Sequence, residues 1–188
     1  HRAHASVVGV PALVHEHAAG RLVLREVQAL RRIVVDPTPP LVAVVGGAKV
    51  ADKLGILVAL AGRLVDGDAI VIGGAMANTF LMAGGASLGA SRVEREMVGE
   101  CRRVQAKAEA RGVRLLLPSD LRTGKRLDDS ESRLRRSDEA LAAEELALDI
   151  GPASAQRFAA AIAGAGTVFW NGPMGVFENP AFAAGTRA

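Results

Sequence analysis

The chain has 188 residues, of which 49% are apolar and 23% charged. That make-up fits one cored globular domain with a small appendage and excludes a disordered segment. The net charge of +3 would suit an anionic ligand, but the richest basic stretch, residues 102–136, is interleaved with Glu109, Asp120, Asp128, Asp129 and Glu131, which argues for a solvated face and against a nucleic-acid partner. Tyrosine is absent and aromatics make up 3%, so Ala, Val, Leu and Ile must fill the core. No apolar stretch approaches the ~18 residues of a membrane span. The single cysteine, Cys101, has no internal partner, which fits a reduced, cytoplasmic setting.

Residues 1–20 have no clear period and end in a small-residue turn. Val23, Val27, Leu30 and Val34 then fall on one stripe and predict an amphipathic helix over Arg21–Val35. Asp36, Pro37, Pro39 and Pro40 stop it, because proline cannot continue the hydrogen-bond ladder. Such a helix reads as a connector between lobes, dividing the chain into residues 1–20, 21–38 and 39–188.

After Pro40, short apolar runs predict strands at Leu41–Val45, Ala69–Ile72, Val113–Leu117 and Thr167–Trp170. Helical patterns lie between them, over about 48–65, 75–83, 91–112 and 152–163. Ser91 and Glu94 have the spacing of a capping box at the start of the third. The polar stretch 121–147 reads as a surface excursion with one short helix. Strands separated by helices imply an α/β fold: a Rossmann-like parallel sheet with helices on both faces, in three α/β/α layers. Asn179-Pro180 opens a further helix just before Ala188, so the expectation is a domain incomplete at both termini.

The junctions after the strands are small or polar: Gly46-Gly47-Ala48-Lys49, Gly73-Gly74-Ala75, Pro118-Ser119-Asp120 and Asn171-Gly172-Pro173-Met174-Gly175. In an open parallel sheet, ligands bind at the carboxyl ends of the strands. Glycines there admit close backbone approach, and following helices offer positive ends to an anion. One glycine junction alone would mean only a tight turn. Three along one edge favour a binding rim.

Lys49 and Lys53 are four apart at the expected start of a helix, so their ammonium groups share one face. Two cations there oppose the macrodipole and each other, and a bridging anion would reverse that cost. Two solvated lysines, partly neutralised by Asp52, are the alternative. Neither a Gly-x-x-x-x-Gly-Lys-Ser/Thr loop nor a Gly-x-Gly-x-x-Gly turn occurs, which sets aside P-loop and dinucleotide sites. His15 and His17 alternate around Glu16 and could in principle bind a metal, but no cysteine partner is near and they read as surface residues. Trp170 reads as core packing. No Ser/His/Asp set suggests nucleophilic catalysis.

At GGAKVADK (Gly46–Lys53) the sequence resembles phosphoglycerate kinases. The resemblance continues, collinearly, through IGGAMANTFL (Ile72–Leu81), LLLPSD (Leu115–Asp120), LDIGPAS (Leu148–Ser154) and WNGPMGVFE (Trp170–Glu178). HRAHAS (His1–Ser6) is similar to the end of that family's N-terminal lobe. The resemblance implies a monomeric cytoplasmic phosphotransferase of glycolysis, passing a phosphoryl group from 1,3-bisphosphoglycerate to ADP to give 3-phosphoglycerate and ATP. It places the nucleotide, as its Mg²⁺ complex, on this lobe. It implies that Lys53 holds the α-phosphate and that Lys49 meets the phosphoryl group in transit. Gly47, Ala48, Gly73 and Gly74 would line the adenine pocket, Asn171 would reach the phosphates, Pro173 and Val176 the base or sugar, and Glu178 the ribose. Arg2 matches an arginine that grips the triose.

The chain departs from the family at Ala75 and Ala147, where glycine is usual. The family's last glycine-rich loop, with its metal-binding aspartate, would lie beyond Ala188, and most of the triose-binding lobe would precede His1. These 188 residues alone are therefore expected to lack turnover and to bind nucleotide weakly. A non-catalytic nucleotide- or anion-binding module is the competing expectation.

Overall fold

The computed structural model describes residues 8–188. Arg2 and the rest of residues 1–7 lie outside them. Two compact units are present, meeting in sequence between Pro37 and Thr38. The first holds a short helix α1, Val10–Leu13, and α2, Arg21–Val34, which is the amphipathic helix expected from the apolar stripe.

The second unit is built on a four-stranded parallel sheet. Its strands are β1, Leu41–Val45; β2, Ala69–Ile72; β3, Arg114–Leu116; and β7, Thr167–Asn171. Their order is β3-β2-β1-β7. Every residue of β1 and β2 is buried, as befits central parallel strands covered on both faces. Between strands lie α3, Leu54–Arg63; α4, Gly74–Ala83; α5, Val98–Glu109; and α6, Pro152–Ala163. The path β1-α3-β2-α4-α5-β3 steps one way along the sheet, and α6-β7 returns past β1. Right-handed crossovers then put α3 and α5 on one face and α6 on the other. Val42, Val44, Ala69 and Val71 pack with Phe158 of α6 and with Met174. Alternation turns the equally buried Ala43, Val45, Ile70 and Ile72 the opposite way. The fold is α/β.

Strand order reverses beside β1, which is flanked by β2 and β7. Loops leaving β1 and β7 diverge to opposite faces there and open a crevice at the carboxyl edge. The register makes the two ends level: Val45 pairs with Asn171, and Gly46 N donates to Asn171 O at 2.9 Å. At the opposite edge the buried Asp68 carboxylate accepts from Leu41 N and Val65 N, which ties β1 to the turn before β2.

Several expectations are corrected. The stretch 121–147 is not an excursion with a helix. It supplies most of an antiparallel sheet of β4, Asp120–Gly124; β5, Arg133–Arg136; and β6, Leu146–Ile150, in the order β5-β4-β6. β5 reads Arg-Leu-Arg-Arg and is largely exposed, so it shows no apolar run to find. Leu121 and Ala147 of this sheet pack with Leu88 and Leu141, against Leu81 and Met82 of α4. Ser91 and Glu94 form no capping box. Ser91 Oγ instead accepts from Ala147 N, and α5 begins only at Val98 after a 3-10 turn. Trp170 is not a core residue. It is 45% exposed on β7, the sheet's edge, and its indole Nε1 donates to Gly172 O at 2.7 Å.

The junction Pro118-Ser119-Asp120 has a structural part. The Asp120 carboxylate accepts from Ala153 N and Ser154 N, and so caps α6 from a distant point of the chain. Any side chain at Gly151 would collide with it.

Candidate nucleotide site at the carboxyl edge of the sheet

Three glycine junctions meet at the crevice and interlock through backbone. Met76 N donates to Gly47 O, Gly74 N to Met174 O and Gly73 N to Val45 O. Gly74 shows why glycine is needed. Its φ is +67°, and a Cβ there would lie 2.5 Å from Gly47 O and 2.9 Å from Pro173 O. The first and last junctions touch across the second, so a methyl would force all three apart.

A cavity of about 360 Å³ opens beside them. Gly47, Ala48, Gly74, Pro173, Val176 and Glu178 line it. The antiparallel sheet supplies another wall, Leu146–Leu148, with Arg92 and Leu127 contributing further lining. Val176 N donates to Leu148 O, which fastens the last junction to that wall. Ala75 and Ala147 also line the cavity, so both methyls that replace the family's usual glycines sit at its surface. The space is largely apolar, with glycine backbone, the Glu178 carboxylate and the Arg92 side chain among its lining. A flat base with a hydroxylated sugar fits such a site.

The remaining residues divide. Gly73 is buried, and a Cβ there would strike the Met174 side chain at 2.3 Å, so it supports the cavity without lining it. Lys53 and Asn171 come together: Lys53 Nζ donates to Asn171 Oδ1, joining the β1 and β7 junctions at the point of strand reversal. The helical placement of the lysine pair is corrected. α3 starts at Leu54, Lys53 is its N-cap residue, and Lys49 lies in the preceding loop with its side chain exposed. Lys49 and Lys53 therefore do not share a helix face. Arg2 lies outside the described residues.

Two acidic residues take structural roles at this site that sequence reasoning did not assign to them, Glu94 having fitted only a local capping box. The Glu94 carboxylate accepts from Val50 N at 2.8 Å and from Ala51 N at 3.1 Å, inside the lysine-bearing loop. Its partners are more than forty residues away, so no local spacing reveals it. Asp149, 4% exposed, accepts from Gly185 N and Ile150 N. Gly175 and Gly185 both pack on its carboxyl, where a Cβ on Gly175 would meet Asp149 Oδ1 at 2.2 Å. Burial pushes the Asp149 pKa up to about 6, against the opposing pull of those two amides and of Arg122. Among the described residues, no group of three His, Cys, Asp or Glu gathers to hold a metal.

The family model for phosphoglycerate kinase matches residues 1–188. The chain belongs to the phosphoglycerate kinase family. It is 50% identical over 188 residues to the phosphoglycerate kinase of Frankia casuarinae, covering all of this chain and 45% of that protein. With the phosphoglycerate kinase of Thermus thermophilus the identity is 46%, over all of this chain and 47% of the relative. The solved structure of phosphoglycerate kinase from Coxiella burnetii superposes with a TM-score of 0.89 at 41% identity, covering 100% of this chain and 47% of that one. That from Pyrococcus horikoshii gives 0.69 at 29% identity, covering 89% and 42%. The chain thus spans about half the length of the relatives it matches. No described helix is long and apolar enough to cross a membrane.

Proposed function

We propose that residues 38–188 form a nucleotide-binding lobe that takes Mg-ADP and Mg-ATP, and that the protein serves the reversible transfer of a phosphoryl group from 1,3-bisphosphoglycerate to ADP. The observation that carries this reading is the Lys53–Asn171 contact at the strand reversal, beside an apolar cavity lined by Gly47, Gly74, Val176 and Glu178. The cavity suits the base and Glu178 the ribose hydroxyls. Lys53 suits the α-phosphate, with Asn171 turning its amide to the same group.

Phosphoryl transfer passes through a loose, metaphosphate-like state and needs positioning and positive charge more than a covalent nucleophile. Lys53 would fix the polyphosphate. Lys49, exposed a few residues earlier in the same loop, would meet the group in transit. Mg²⁺ would arrive with the nucleotide as part of the substrate, since Mg²⁺ is commonly held by phosphates and water with few protein ligands. Arg2 would belong to the triose side. The exposed position of Lys49 also suits an anion shared with a second lobe, which favours the kinase reading over a module that only binds.

Calorimetric titration of the chain with Mg-ADP, adenosine and inorganic phosphate tests the reading. Mg-ADP is expected to bind more tightly than either fragment, because it alone engages cavity and lysines together. Equal affinity for Mg-ADP and phosphate would leave only an anion site and overturn the assignment.

A further inference from the structure

We propose that Glu94 is a positioning residue for polyphosphate binding: it sets the peptide plane after Lys49 and the turn that presents Lys53. The inference rests on the nucleotide reading above and deepens it.

The N–H of Val50 belongs to the peptide unit joining Lys49 to Val50, and the next N–H is that of Ala51. Glu94 takes one with each carboxylate oxygen, at 2.8 and 3.1 Å. Those bonds fix ψ of Lys49 and φ of Val50, the torsions that aim the loop. The turn that follows is closed by Lys53 N donating to Val50 O at 2.9 Å, so the orientation imposed on Val50 passes directly to Lys53. Upstream, the loop is held where Gly47 O accepts from Met76 N. Lys49 therefore sits between two anchored points, one of them Glu94.

Glu94 is itself held. Its own N–H donates to the hydroxyl of Thr79, buried on α4, at 3.1 Å. Asn78, also buried on α4, donates from Nδ2 to Arg92 O at 3.3 Å. The segment 92–94 is thus fastened to the helix whose first residues form the middle glycine junction. Charge-assisted bonds of this kind are about twice as strong as neutral ones. They also occupy the amides of Val50 and Ala51, so these two N–H groups do not compete with the lysine side chains for an anion. Loss of the carboxylate should loosen the lysines and leave the base cavity intact.

The test is Glu94→Gln, which keeps the length but offers only one acceptor to two N–H groups. Mg-ADP affinity should fall by about tenfold, the scale of one charge-assisted hydrogen bond, while adenosine affinity stays within about twofold. Amide exchange at Val50 and Ala51 in the ligand-free chain, followed by NMR, should quicken by at least about tenfold as those bonds weaken. Equal weakening of Mg-ADP and adenosine would mean general damage and overturn the proposal. So would unchanged exchange at the two amides. If the parent chain fails to bind Mg-ADP, the nucleotide reading falls first, and the proposal for polyphosphate falls with it even if the amides deprotect. Should Glu94→Gln not fold, Thr79→Val keeps the shape and removes the oxygen under Glu94 N. The same selective pattern at smaller size supports the proposal, and its absence overturns it.

Discussion

Lys53 Nζ donates to the side-chain oxygen of Asn171, across the point where the strand order of the sheet reverses. The partner of this cation is a neutral amide, so its charge is solvated or shared and not cancelled by a carboxylate. A polyphosphate gains a charge-assisted bond by displacing that amide. The register of β1 against β7 makes the meeting possible, because it sets Val45 level with Asn171.

Lys53→Ala is therefore expected to weaken Mg-ADP by at least about tenfold, the value of a lost hydrogen bond to a charged group. Asn171→Ala should weaken it less, since the amide contributes no charge. Adenosine should bind both variants much as it binds the parent, and calorimetry on all of them makes the comparison. In a protein of the relatives' full length, Lys49→Ala should lower turnover more than nucleotide affinity, because its contact would strengthen only in transit. Losses of equal size in both would remove Lys49 from the transfer step.

Gly74→Ala separates close approach from backbone freedom. Gly47 also has a positive φ, +122°, but a Cβ there meets nothing within 4 Å. At Gly74 the Cβ would strike Gly47 and Pro173 backbone, which cannot swing aside. Strain of about 1–3 kcal/mol is expected at either position. Gly74→Ala should add a steric penalty to it and also lose nucleotide affinity. Urea midpoints compared with those of Gly47→Ala decide the matter, and equal destabilisation would mean that the junctions are not interlocked.

Much of this was legible in the chain. The central strands Leu41–Val45 and Ala69–Ile72 are short apolar runs, the first between Pro40 and Gly46 and the second between Gly67-Asp68 and Gly73, and they fold at those residues because both faces are covered. α6 follows a Gly-Pro start with a clean stop at Gly164. The antiparallel sheet was hidden because Arg133–Arg136 packs little of its length, so its pattern is that of a loop. The start of α3 was misplaced for a different reason. Residues 48–53 are compatible with helix, but Val50 and Ala51 give their amides to Glu94, and the chain spends them on a turn. Ser91 and Glu94 fit a local cap by spacing, yet both serve distant backbone. Long-range partners of polar side chains leave no periodic trace.

Cys101 offers a check on the packing of α5. It is fully buried, and burial first, then the carboxylates of Glu94 and Glu100, push its thiol up to about 12. Reactivity follows the thiolate and its exposure. The native chain should resist alkylation by iodoacetamide at pH 8 and react readily in denaturing urea. Rapid labelling under native conditions would show that α5 does not pack as described.

Asp149 gives the stability a defined pH dependence. Its carboxyl is raised from an ordinary 3.8 to about 6, chiefly by burial. The folded chain therefore holds this proton more firmly than the unfolded chain, so the contribution is complete below about pH 4 and is lost as pH rises through about 6. A shift of that size corresponds to roughly 3 kcal/mol. Asp149→Asn keeps one acceptor for the Gly185 or Ile150 amide and cannot ionise. The urea stability of the parent relative to Asp149→Asn should fall between pH 4 and pH 6 and level off above it. Because Gly175 rests on this carboxyl and lines the cavity, Mg-ADP affinity should change more in the parent than in Asp149→Asn across the same window, the titration of the ligand's own phosphate being common to both. Parallel stability curves for the two proteins would mean that Asp149 titrates as a solvated acid, and the buried contact with Gly185 would then be wrong.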